Sequence, residues 1–559
     1  MVESRTKIVI VGGVAGGASA ATRARRMNEQ AEIILFEKDA DVSFANCGLP
    51  YYIGEEIAER SKLVVASAEF LRRRFALDVR TQQEVVAIDR SAKQVTVRNQ
   101  ATNEEYTESY DKLILSTGAS PFVPPIDGRH AANVFTLRNL ADTDQIKAAT
   151  DSSQAKTAAI IGAGFIGIEM VEQLARRGYK TTLAELQPQV LPLFDPEMAQ
   201  PIEQELRDNS VVLALGDGIQ QILVDDAGSA TGVELSSGKV IEAELVILGI
   251  GVRPNTKLAQ AAGLEIGSGG GVATNRYMQT SDPDIYAVGD AAEYVYGPTG
   301  TAMRIALAGP ANRSGRLAGE HAATGKSAEM ADVFGTSIVR VFGKTAAMTG
   351  LTESLAKRLG VPVRSVTILA NNHAGYYPGA EQLTLKLIYA GDDGRVLGAQ
   401  AVGGEGVDKR MDVIATAMAM RATVRDLAGL DLAYAPPFGA AKDPIHMAAF
   451  AACNQLDGVE EFVAADADVS GKQVVDVRTA AEVKSRPLAG AAQAINIPLD
   501  ELRDRLHELD STQETVVSCA AGIRAHVASR ILRQHGFHSV SNLIGGATMR
   551  SRAWRDTNR

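Results

Sequence analysis

The chain has 559 residues, a formal net charge of −10 at neutral pH and 22% charged residues, which indicates a globular protein of about three or four domains. Its acidic balance excludes a general attraction to nucleic acid, and no apolar run reaches the roughly 18 residues that a membrane span needs. The cysteines Cys47, Cys453 and Cys519 are too few and too far apart for a disulfide scaffold, so we expect a reducing cytoplasm.

The first predicted element is a strand, turn and helix that would hold a dinucleotide. Lys7 to Val11 forms a buried parallel strand by its β-branched run, and a second strand ends at Glu37, 25 residues after Gly12, with Lys38 next to it. Glycines let a pyrophosphate approach the helix N-terminus, and the acid binds ribose hydroxyls. Val14 replaces the middle glycine of the G-x-G-x-x-G pattern, so a plain tight turn is the alternative interpretation. The turn glycines are Gly12, Gly13, Gly16 and Gly17.

The stretch "SFANCGLPYYIGEEI" places Cys47 in a turn, without a second cysteine nearby. Because Pro50 and the glycines indicate a turn at the start of a helix, we expect the thiolate of Cys47 to be stabilised there. Such a thiol can cycle as a sulfenic acid while it reduces peroxide or oxygen. It can also form a mixed disulfide with a small thiol. The third interpretation is a buried, inert cysteine.

A second glycine turn repeats the first one with the full pattern. "TAAIIGAGFIGIEMVEQLARRGYKTTLAEL" carries Gly162, Gly164 and Gly167, and its second strand places Glu185 23 residues after Gly162. An acid at this point favours the free 2′-hydroxyl of NAD over the 2′-phosphate of NADP. The expected electron donor is therefore NADH, with NADPH as the alternative.

Two later strand ends extend the dinucleotide pattern. "YDKLILSTGASP" leads into Thr117 and Gly118, and "TSDPDIYAVGDAAE" ends at Asp290. The pair resembles the returning strands of the two-dinucleotide-binding flavoproteins of the disulfide-reductase type. By that resemblance FAD and NADH are the cofactors, and Asp290 binds the ribityl chain of FAD. The implied layout is an FAD-binding domain over 1–150 and 276–328, with an NAD-binding domain over 151–275 inserted.

Within that superfamily, four segments closely resemble the coenzyme A-disulfide reductases: "SFANCGLPYYIGE", "YDKLILSTGASP", "GEGVDKRMDVIA" and "YAPPFGAAKDP". Many reductases of the superfamily carry a second cysteine five positions after the first, where this chain has Tyr52. The peroxidase and oxidase branch carries a histidine in its first glycine turn, where this chain offers Val14 and Ala15. The resemblance therefore favours a mixed disulfide between Cys47 and coenzyme A over a sulfenic acid.

The resemblance also implies a coenzyme A channel that leads to Cys47. Part of the first helix carries polar and basic residues at i, i+3, i+4 and i+7, which places them on one face. A second basic cluster is Arg72–Arg74, and guanidinium groups suit the phosphates of coenzyme A. The alternative is an ordinary solvated helix face. The expected coenzyme A residues are Ser19, Thr22, Arg23, Arg26, Ser43 and Asn46.

A dimerisation domain over 329–450 follows from the same resemblance, so we expect a homodimer with active sites shared between subunits. Tyr376 and Tyr434 of one subunit would reach Cys47 of the other. A phenol beside a developing thiolate can donate a hydrogen bond or a proton.

After a linker over 451–461, the segments "QVVDVRTAAEV" and "ETVVSCAAGIRAHVASRILRQHGF" resemble a rhodanese domain over 462–559. In the loop "CAAGIR", Cys519 follows a strand and precedes a helix. Backbone N–H groups and the helix dipole would stabilise a thiolate or persulfide there, and Arg524 would add a fixed charge. We interpret Cys453, in an Ala-rich helix, as structural.

The sequence thus predicts an α/β protein with FAD- and NAD-binding Rossmann-like domains, an α+β dimerisation domain and a C-terminal α/β rhodanese domain. NADH would reduce FAD, which passes electrons to the Cys47–coenzyme A mixed disulfide, while Cys519 delivers sulfane sulfur. The alternatives are a single-cysteine NADH oxidase or peroxidase, and a non-catalytic redox-sensing sulfur carrier. No metal site, nucleic-acid partner or membrane partner is expected.

Overall fold

The computed structural model describes residues 5–152 and 156–554. Three predicted segments therefore lie partly outside the described residues: the FAD-binding segment 1–150, the NAD-binding segment 151–275 and the rhodanese segment 462–559. The chain divides into two units, Met1–Pro188 with Ser210–Gly335, and Gln189–Asn209 with Thr336–Arg559. Among the described helices, none combines the length and apolar character that crossing a bilayer would require.

The first unit contains two five-stranded parallel sheets, which confirms the predicted α/β class. The first sheet runs, in spatial order, through Ile285–Ala287, Lys112–Leu115, Lys7–Val11, Glu32–Glu37 and Asp78–Thr81. The second runs through Val134–Phe135, Leu245–Leu248, Thr157–Ile161, Lys180–Glu185 and Val212–Leu215. Their central strands are buried β-branched and aliphatic runs, as covered parallel sheets require. Both glycine turns follow such a central strand.

Antiparallel ribbons and helices complete this unit. The three-stranded ribbons are Gln83–Asp89, Gln94–Asn99 and Glu105–Ser109, and Ile219–Val224, Ala230–Leu235 and Val240–Glu242. Short pairs are Ser43–Phe44 with Val64–Ala66, Ala119–Pro121 with Val252–Pro254, and Tyr294–Val295 with Ala302–Met303. The α-helices are Ala15–Met27, Leu49–Ile53, Ala68–Phe75, Leu140–Ser152, Phe165–Arg176, Lys257–Ala261 and Ala308–Thr324.

The second unit contains one antiparallel and one parallel sheet. The antiparallel sheet runs through Ser337–Val341, Lys344–Gly350, Val396–Gly403, Gln382–Tyr389 and Arg364–Asn371. The parallel sheet runs through Glu461–Val463, Val540–Leu543, Thr515–Ser518, Gln473–Asp476 and Ile495–Asn496. The α-helices are Pro196–Asp208, Glu353–Leu359, Val407–Ala419, Val424–Ala428, Pro444–Leu456, Ala480–Ser485, Ile523–Gln534 and Gly546–Ala553.

The helix Pro196–Asp208 belongs to the second unit, although the predicted NAD-binding segment, 151–275, includes it. A buried ion cluster explains this placement. The ammonium group of Lys386 lies 2.9 Å from Asp195 and 2.5 Å from both Glu197 and Glu353. The amide of Gln400 also donates to Asp195 at 2.6 Å. These contacts hold the start of the helix against the antiparallel sheet.

Candidate active site

The first glycine turn is built for close backbone approach. Gly12 has φ +93°, and a Cβ built there would lie 2.2 Å from the Ser116 carbonyl oxygen. The buried carboxylate of Glu37 accepts hydrogen bonds from the N–H groups of Gly13 at 2.8 Å and Asp39 at 3.0 Å. Burial raises the pKa of Glu37, while these two N–H groups act in the opposite direction. Lys38 is exposed beside it.

The second glycine turn repeats this geometry. Gly162 has φ +101°, and a Cβ there would lie 2.4 Å from the Gly249 carbonyl oxygen. Glu185 accepts from the N–H of Ala163 at 2.7 Å and from that of Gln187 at 2.9 Å. In both turns the acid that ends the second strand therefore contacts the second residue of the turn.

Both turns fit a dinucleotide. The helices Ala15–Met27 and Phe165–Arg176 start without a side-chain cap and without an acidic residue in the first turn of the described chain. Their N-terminal N–H groups and positive dipole ends are thus available to a pyrophosphate. Residues Gly16, Gly17, Gly164 and Gly167 lie at these helix starts.

Charged groups gather near the end of the strand Lys112–Leu115. Arg138 lies 3.7 Å from the carboxylate of Asp290, and a Cβ on Gly118 would lie 2.8 Å from Arg138. Burial raises the pKa of Asp290, whereas Arg138 and Arg304 lower it. The Nε of Arg304 is buried and lacks a partner among the described residues. An orphaned donor near the partly buried acid Asp290 fits a polar cofactor such as FAD. Thr117 donates to the Asn255 carbonyl at 2.7 Å.

Cys47 lies in a single 3₁₀ turn, Asn46–Gly48, before the helix Leu49–Ile53. It is exposed by surface area, yet neighbouring protein atoms desolvate the thiol and raise its pKa, and Glu169 and Asp290 raise it further. The expected stabilisation of the thiolate by the helix start is therefore wrong for the chain alone. The helix begins two residues after the sulfur, and the nearby charges are negative.

The helix face expected to bind coenzyme A is partly occupied by contacts within the protein. Arg23 donates two hydrogen bonds to one carboxylate oxygen of Glu320, at 2.9 and 2.6 Å, and Ser19 donates to Asn312 at 2.7 Å. Thr22 donates to the carbonyl of Ala18 in its own helix at 2.8 Å. Glu320 and Asn312 were missed because they lie almost 300 residues away along the chain.

The remaining residues of the predicted coenzyme A channel differ in their exposure and in their contacts within the protein. Arg26 is exposed, with its guanidinium carbon 5.8 Å from the centre of the Phe75 ring. Arg72 donates to the Val79 carbonyl. Arg73 and Arg74 are exposed, with Arg73 3.8 Å from Glu69 and the guanidinium carbon of Arg74 5.4 Å from the centre of the Phe70 ring. Ser43 is buried in its strand, and the amide of Asn46 donates to the Arg138 carbonyl at 3.2 Å.

The second unit brings two predicted phenols together. The hydroxyl groups of Tyr376 and Tyr434 are 3.0 Å apart, and the hydrogen bond raises the pKa of Tyr376. Both side chains are exposed, as is Phe438 nearby in sequence. This exposed aromatic pair suits contact with another surface rather than packing within one chain.

Cys519 is buried at the end of the strand Thr515–Ser518, and its sulfur accepts from the Gly522 N–H at 3.0 Å. The helix Ile523–Gln534 follows at once. The predicted fixed charge of Arg524 is compensated, because its guanidinium donates to both carboxylate oxygens of Glu482 at 2.9 and 2.6 Å. Glu482 lies 42 residues before Arg524, and no signal in the sequence connects the two.

A second acid also reaches the Cys519 loop. Glu460, which is 2% exposed, lies 2.7 Å from Nδ1 of His526 and accepts from the Asn542 amide at 2.8 Å. That amide also donates to the carbonyl of Gly522 at 3.3 Å. The hydrogen bond that Nδ1 of His526 donates to Glu460 raises the pKa of His526. Glu460, which lies in the predicted linker 451–461, is therefore connected through the Asn542 amide to the loop that holds Cys519.

Three family models match the chain in succession. Residues 6–315 match the pyridine nucleotide-disulphide oxidoreductase model, and residues 336–444 match the dimerisation domain of the same enzymes. Residues 460–549 match the rhodanese-like domain. The dimerisation domain indicates a homodimer.

Known proteins match most or nearly all of the chain. The coenzyme A disulfide reductase of Staphylococcus aureus strain JH9 is 38% identical over 446 residues, 80% of this chain and 99% of that one. The crystal structure of reduced Bacillus anthracis CoADR-RHD has a TM-score of 0.93 and 46% identity, with 98% of both chains covered. A NAD-dependent persulfide reductase from A. fulgidus has a TM-score of 0.90 and 36% identity, with 97% of this chain and 100% of that chain covered.

Proposed function

Because the chain belongs to the pyridine nucleotide-disulphide oxidoreductase family and carries a rhodanese-like domain, we propose that it reduces sulfur–sulfur bonds of coenzyme A derivatives with NADH. The observation that carries the proposal is Cys47, an exposed thiol in a stretch without a second cysteine. Such a thiol completes its redox cycle with an external partner. The likeness to a coenzyme A disulfide reductase along 80% of the chain supports coenzyme A as that partner.

The chemistry that FAD supplies when bound is hydride acceptance from NADH and electron-pair donation to a disulfide. The first glycine turn, Glu37 and Asp290 would hold FAD, and the second turn with Glu185 would hold NADH. Residues Lys38, Thr117 and Gly118 would complete the FAD site.

At Cys47 the thiolate attacks the coenzyme A-bound sulfur of a coenzyme A persulfide. The S–S bond of the persulfide breaks, hydrosulfide leaves, and a Cys47–coenzyme A mixed disulfide forms. Two electrons and one proton then cleave this disulfide into the Cys47 thiolate and free coenzyme A. With coenzyme A disulfide the first leaving group is the coenzyme A thiolate, and with polysulfide it is a shorter polysulfide.

Cys519 extends this chemistry to sulfane sulfur. Its sulfur accepts a hydrogen bond from the Gly522 N–H, an environment that favours negative charge on sulfur. It would accept one sulfur atom as a persulfide and deliver it to coenzyme A or to the Cys47 site. The three free cysteines fit a reducing compartment, so we propose the cytoplasm.

The Cys47→Ser variant tests the assignment, because a serine hydroxyl does not form the mixed disulfide. We expect it to bind FAD and NADH but to lose reduction of coenzyme A persulfide and disulfide by at least about a thousandfold. Cys453→Ser, at the half-buried thiol of the helix Pro444–Leu456, is the matched control and should retain activity. Near-normal persulfide turnover by Cys47→Ser would remove Cys47 from the mechanism.

The exposed pair of Tyr376 and Tyr434 supports an active site shared between subunits. In this arrangement Tyr434 of one subunit donates a proton at Cys47 of the other, and Tyr434→Phe should reduce turnover about a hundredfold. Cys47→Ser and Tyr434→Phe chains are co-expressed and the mixed dimer is purified, so that each dimer carries one intact composite site. About half of the wild-type activity should then return. Activity that stays near the average of the two variants would place both residues of a site in one chain.

A further inference from the structure

The charges around Cys519 cancel in pairs. Arg524 is held by both carboxylate oxygens of Glu482, which accept from its guanidinium at 2.9 and 2.6 Å. Asp476 pairs with Arg478 at 2.6 Å, and both side chains are buried. The predicted cationic loop is therefore close to neutral.

Glu482 is fixed before any substrate arrives. It is the third residue of the helix Ala480–Ser485, and its carboxylate accepts from the N–H of Thr479 at 3.0 Å and from its hydroxyl at 2.9 Å. The hydrogen bond from Arg524 lowers the pKa of Glu482 to about 2, so the carboxylate is ionised near neutral pH. One carboxylate thus caps its own helix and holds the loop arginine.

The rest of the loop is apolar. Between Cys519 and Arg524 the side chains are those of two alanines and of Ile523, which is 59% exposed. Val527, one helical turn after Ile523, is 39% exposed. A donor that reaches Cys519 therefore meets aliphatic groups and a backbone N–H rather than a free cation.

We propose that Glu482 sets the choice of sulfur donor at Cys519, selecting organic persulfides, whose sulfur–sulfur group carries at most one negative charge, over donors such as thiosulfate, whose reacting group is a dianion. This inference rests on the proposed function of Cys519 as a sulfur acceptor. The Cys519 thiolate attacks the outer sulfur of R–S–SH, a Cys519 persulfide forms, and the R–S⁻ thiolate leaves. Thiosulfate would bring two negative charges to a site whose cation is already paired, and burial of an uncompensated charge is costly.

The Glu482→Gln variant tests the proposal. Gln keeps the capping position, since Gln and Glu both serve there, but it leaves the positive charge of Arg524 uncompensated. In full-length protein that also carries Cys47→Ser, sulfur uptake reports on Cys519 alone and needs no NADH. Uptake is measured by intact mass and by thiocyanate formation with cyanide, using thiosulfate and glutathione persulfide as donors.

We expect Glu482→Gln to raise kcat/KM for thiosulfate at least about tenfold, the effect of one unmatched charge near a dianion, with less than about a threefold change for the persulfide. The control is Glu508→Gln, which removes a similar carboxylate 2.6 Å from Arg505 on the surface and should leave both rates unchanged.

An unchanged donor ratio, or equal loss with both donors in a protein with native circular dichroism, would overturn the proposal. The proposal would also be overturned if the protein with native Glu482 took up sulfur faster from thiosulfate than from the persulfide, or from neither donor. NADH-dependent reduction by the chain with Cys47 intact is assayed separately, so a failure of the proposed reductase function is recognised independently.

Discussion

Replacement of Lys386 by methionine should destabilise the second unit strongly. The Lys386 and Asp195 side chains are each 2% exposed and Glu197 is 17% exposed, whereas Glu353 is 45% exposed. Removal of one partner from a buried ion cluster typically costs about 3–5 kcal/mol, because the remaining charges stay desolvated. Gln400 still donates to Asp195 and Glu353 is well hydrated, so we expect the lower end, about 3 kcal/mol. For a unit of this size that corresponds to a Tm decrease of roughly 6–12 °C.

The pH dependence distinguishes this explanation from a simple packing defect. In the wild type, burial raises the pKa of Asp195 but Lys386 outweighs it, so the net pKa is lowered. The stability that this lowered pKa contributes is fully present above the pKa of an aspartate in the unfolded chain, about 3.9. It is lost only as the pH falls through the pKa of Asp195 in the folded protein. Without Lys386, we expect burial and the adjacent carboxylates of Glu197 and Glu353 to outweigh the hydrogen bonds from Ser354 and to raise the pKa of Asp195. The folded variant then binds protons more readily than the unfolded chain.

Thermal unfolding of the Lys386→Met protein should therefore show a deficit that shrinks between pH 7 and pH 5. Lys344→Met is the control, since Lys344 lies 3.8 Å from the exposed Glu381 and such surface pairs contribute at most about 1 kcal/mol. Equal stability of the two variants at pH 7, or a deficit independent of pH, would refute the reasoning.

Three further predictions concern the sulfur and nucleotide sites. Cys519→Ser should abolish uptake of sulfur from polymeric or insoluble donors and leave NADH-dependent reduction of coenzyme A persulfide largely intact; equal loss of both would mean that the two sites are obligatorily coupled. Glu185→Arg should shift the ratio of kcat/KM toward NADPH, because the carboxylate that would repel a 2′-phosphate is gone; an unchanged ratio would place specificity elsewhere. The hydrogen bond that His526 donates to Glu460 raises the pKa of His526, so their ion pair contributes fully below the pKa of an unfolded-state histidine, about 6.5, and is lost as pH rises through the pKa of His526 in the folded protein. Calorimetry from pH 6 to 9 should show the wild type losing stability relative to His526→Gln, and parallel curves would contradict this.

The parts of the fold that could be predicted depend on local pattern. The run Lys7–Val11 is a β-branched parallel strand because such a strand is covered on both faces, and the glycine spacing that follows identifies the turn. Cys519 was placed between a strand and a helix by the same kind of signal. Both helix starts lack acidic residues, which is also visible in the sequence.

The parts that could not be predicted depend on contacts between distant residues. Glu482 is 42 residues from Arg524 and Glu460 is 82 residues from Asn542, so periodicity gives no indication of either pair. The placement of the helix Pro196–Asp208 in the second unit was unpredictable for the same reason, since it depends on the pairing of Asp195 and Glu197 with the distant Lys386. The stabilised thiolate of Cys47 was wrongly expected, because burial of the thiol and, after it, the carboxylates of Glu169 and Asp290 raise its pKa, and neither effect has a local signature in the sequence.

The central claim is that Cys47 passes electrons from NADH to sulfur bound to coenzyme A. Its most direct test is the steady-state rate of NADH oxidation with rival acceptors, measured anaerobically with coenzyme A persulfide and disulfide and separately with oxygen and peroxide. We predict a kcat/KM for the coenzyme A acceptors at least about a hundredfold above that for oxygen or peroxide, with one sulfide released per NADH from the persulfide. Faster turnover with oxygen or peroxide would identify an oxidase or peroxidase, and turnover near zero with every acceptor would identify a non-catalytic sulfur carrier; either result would contradict the account.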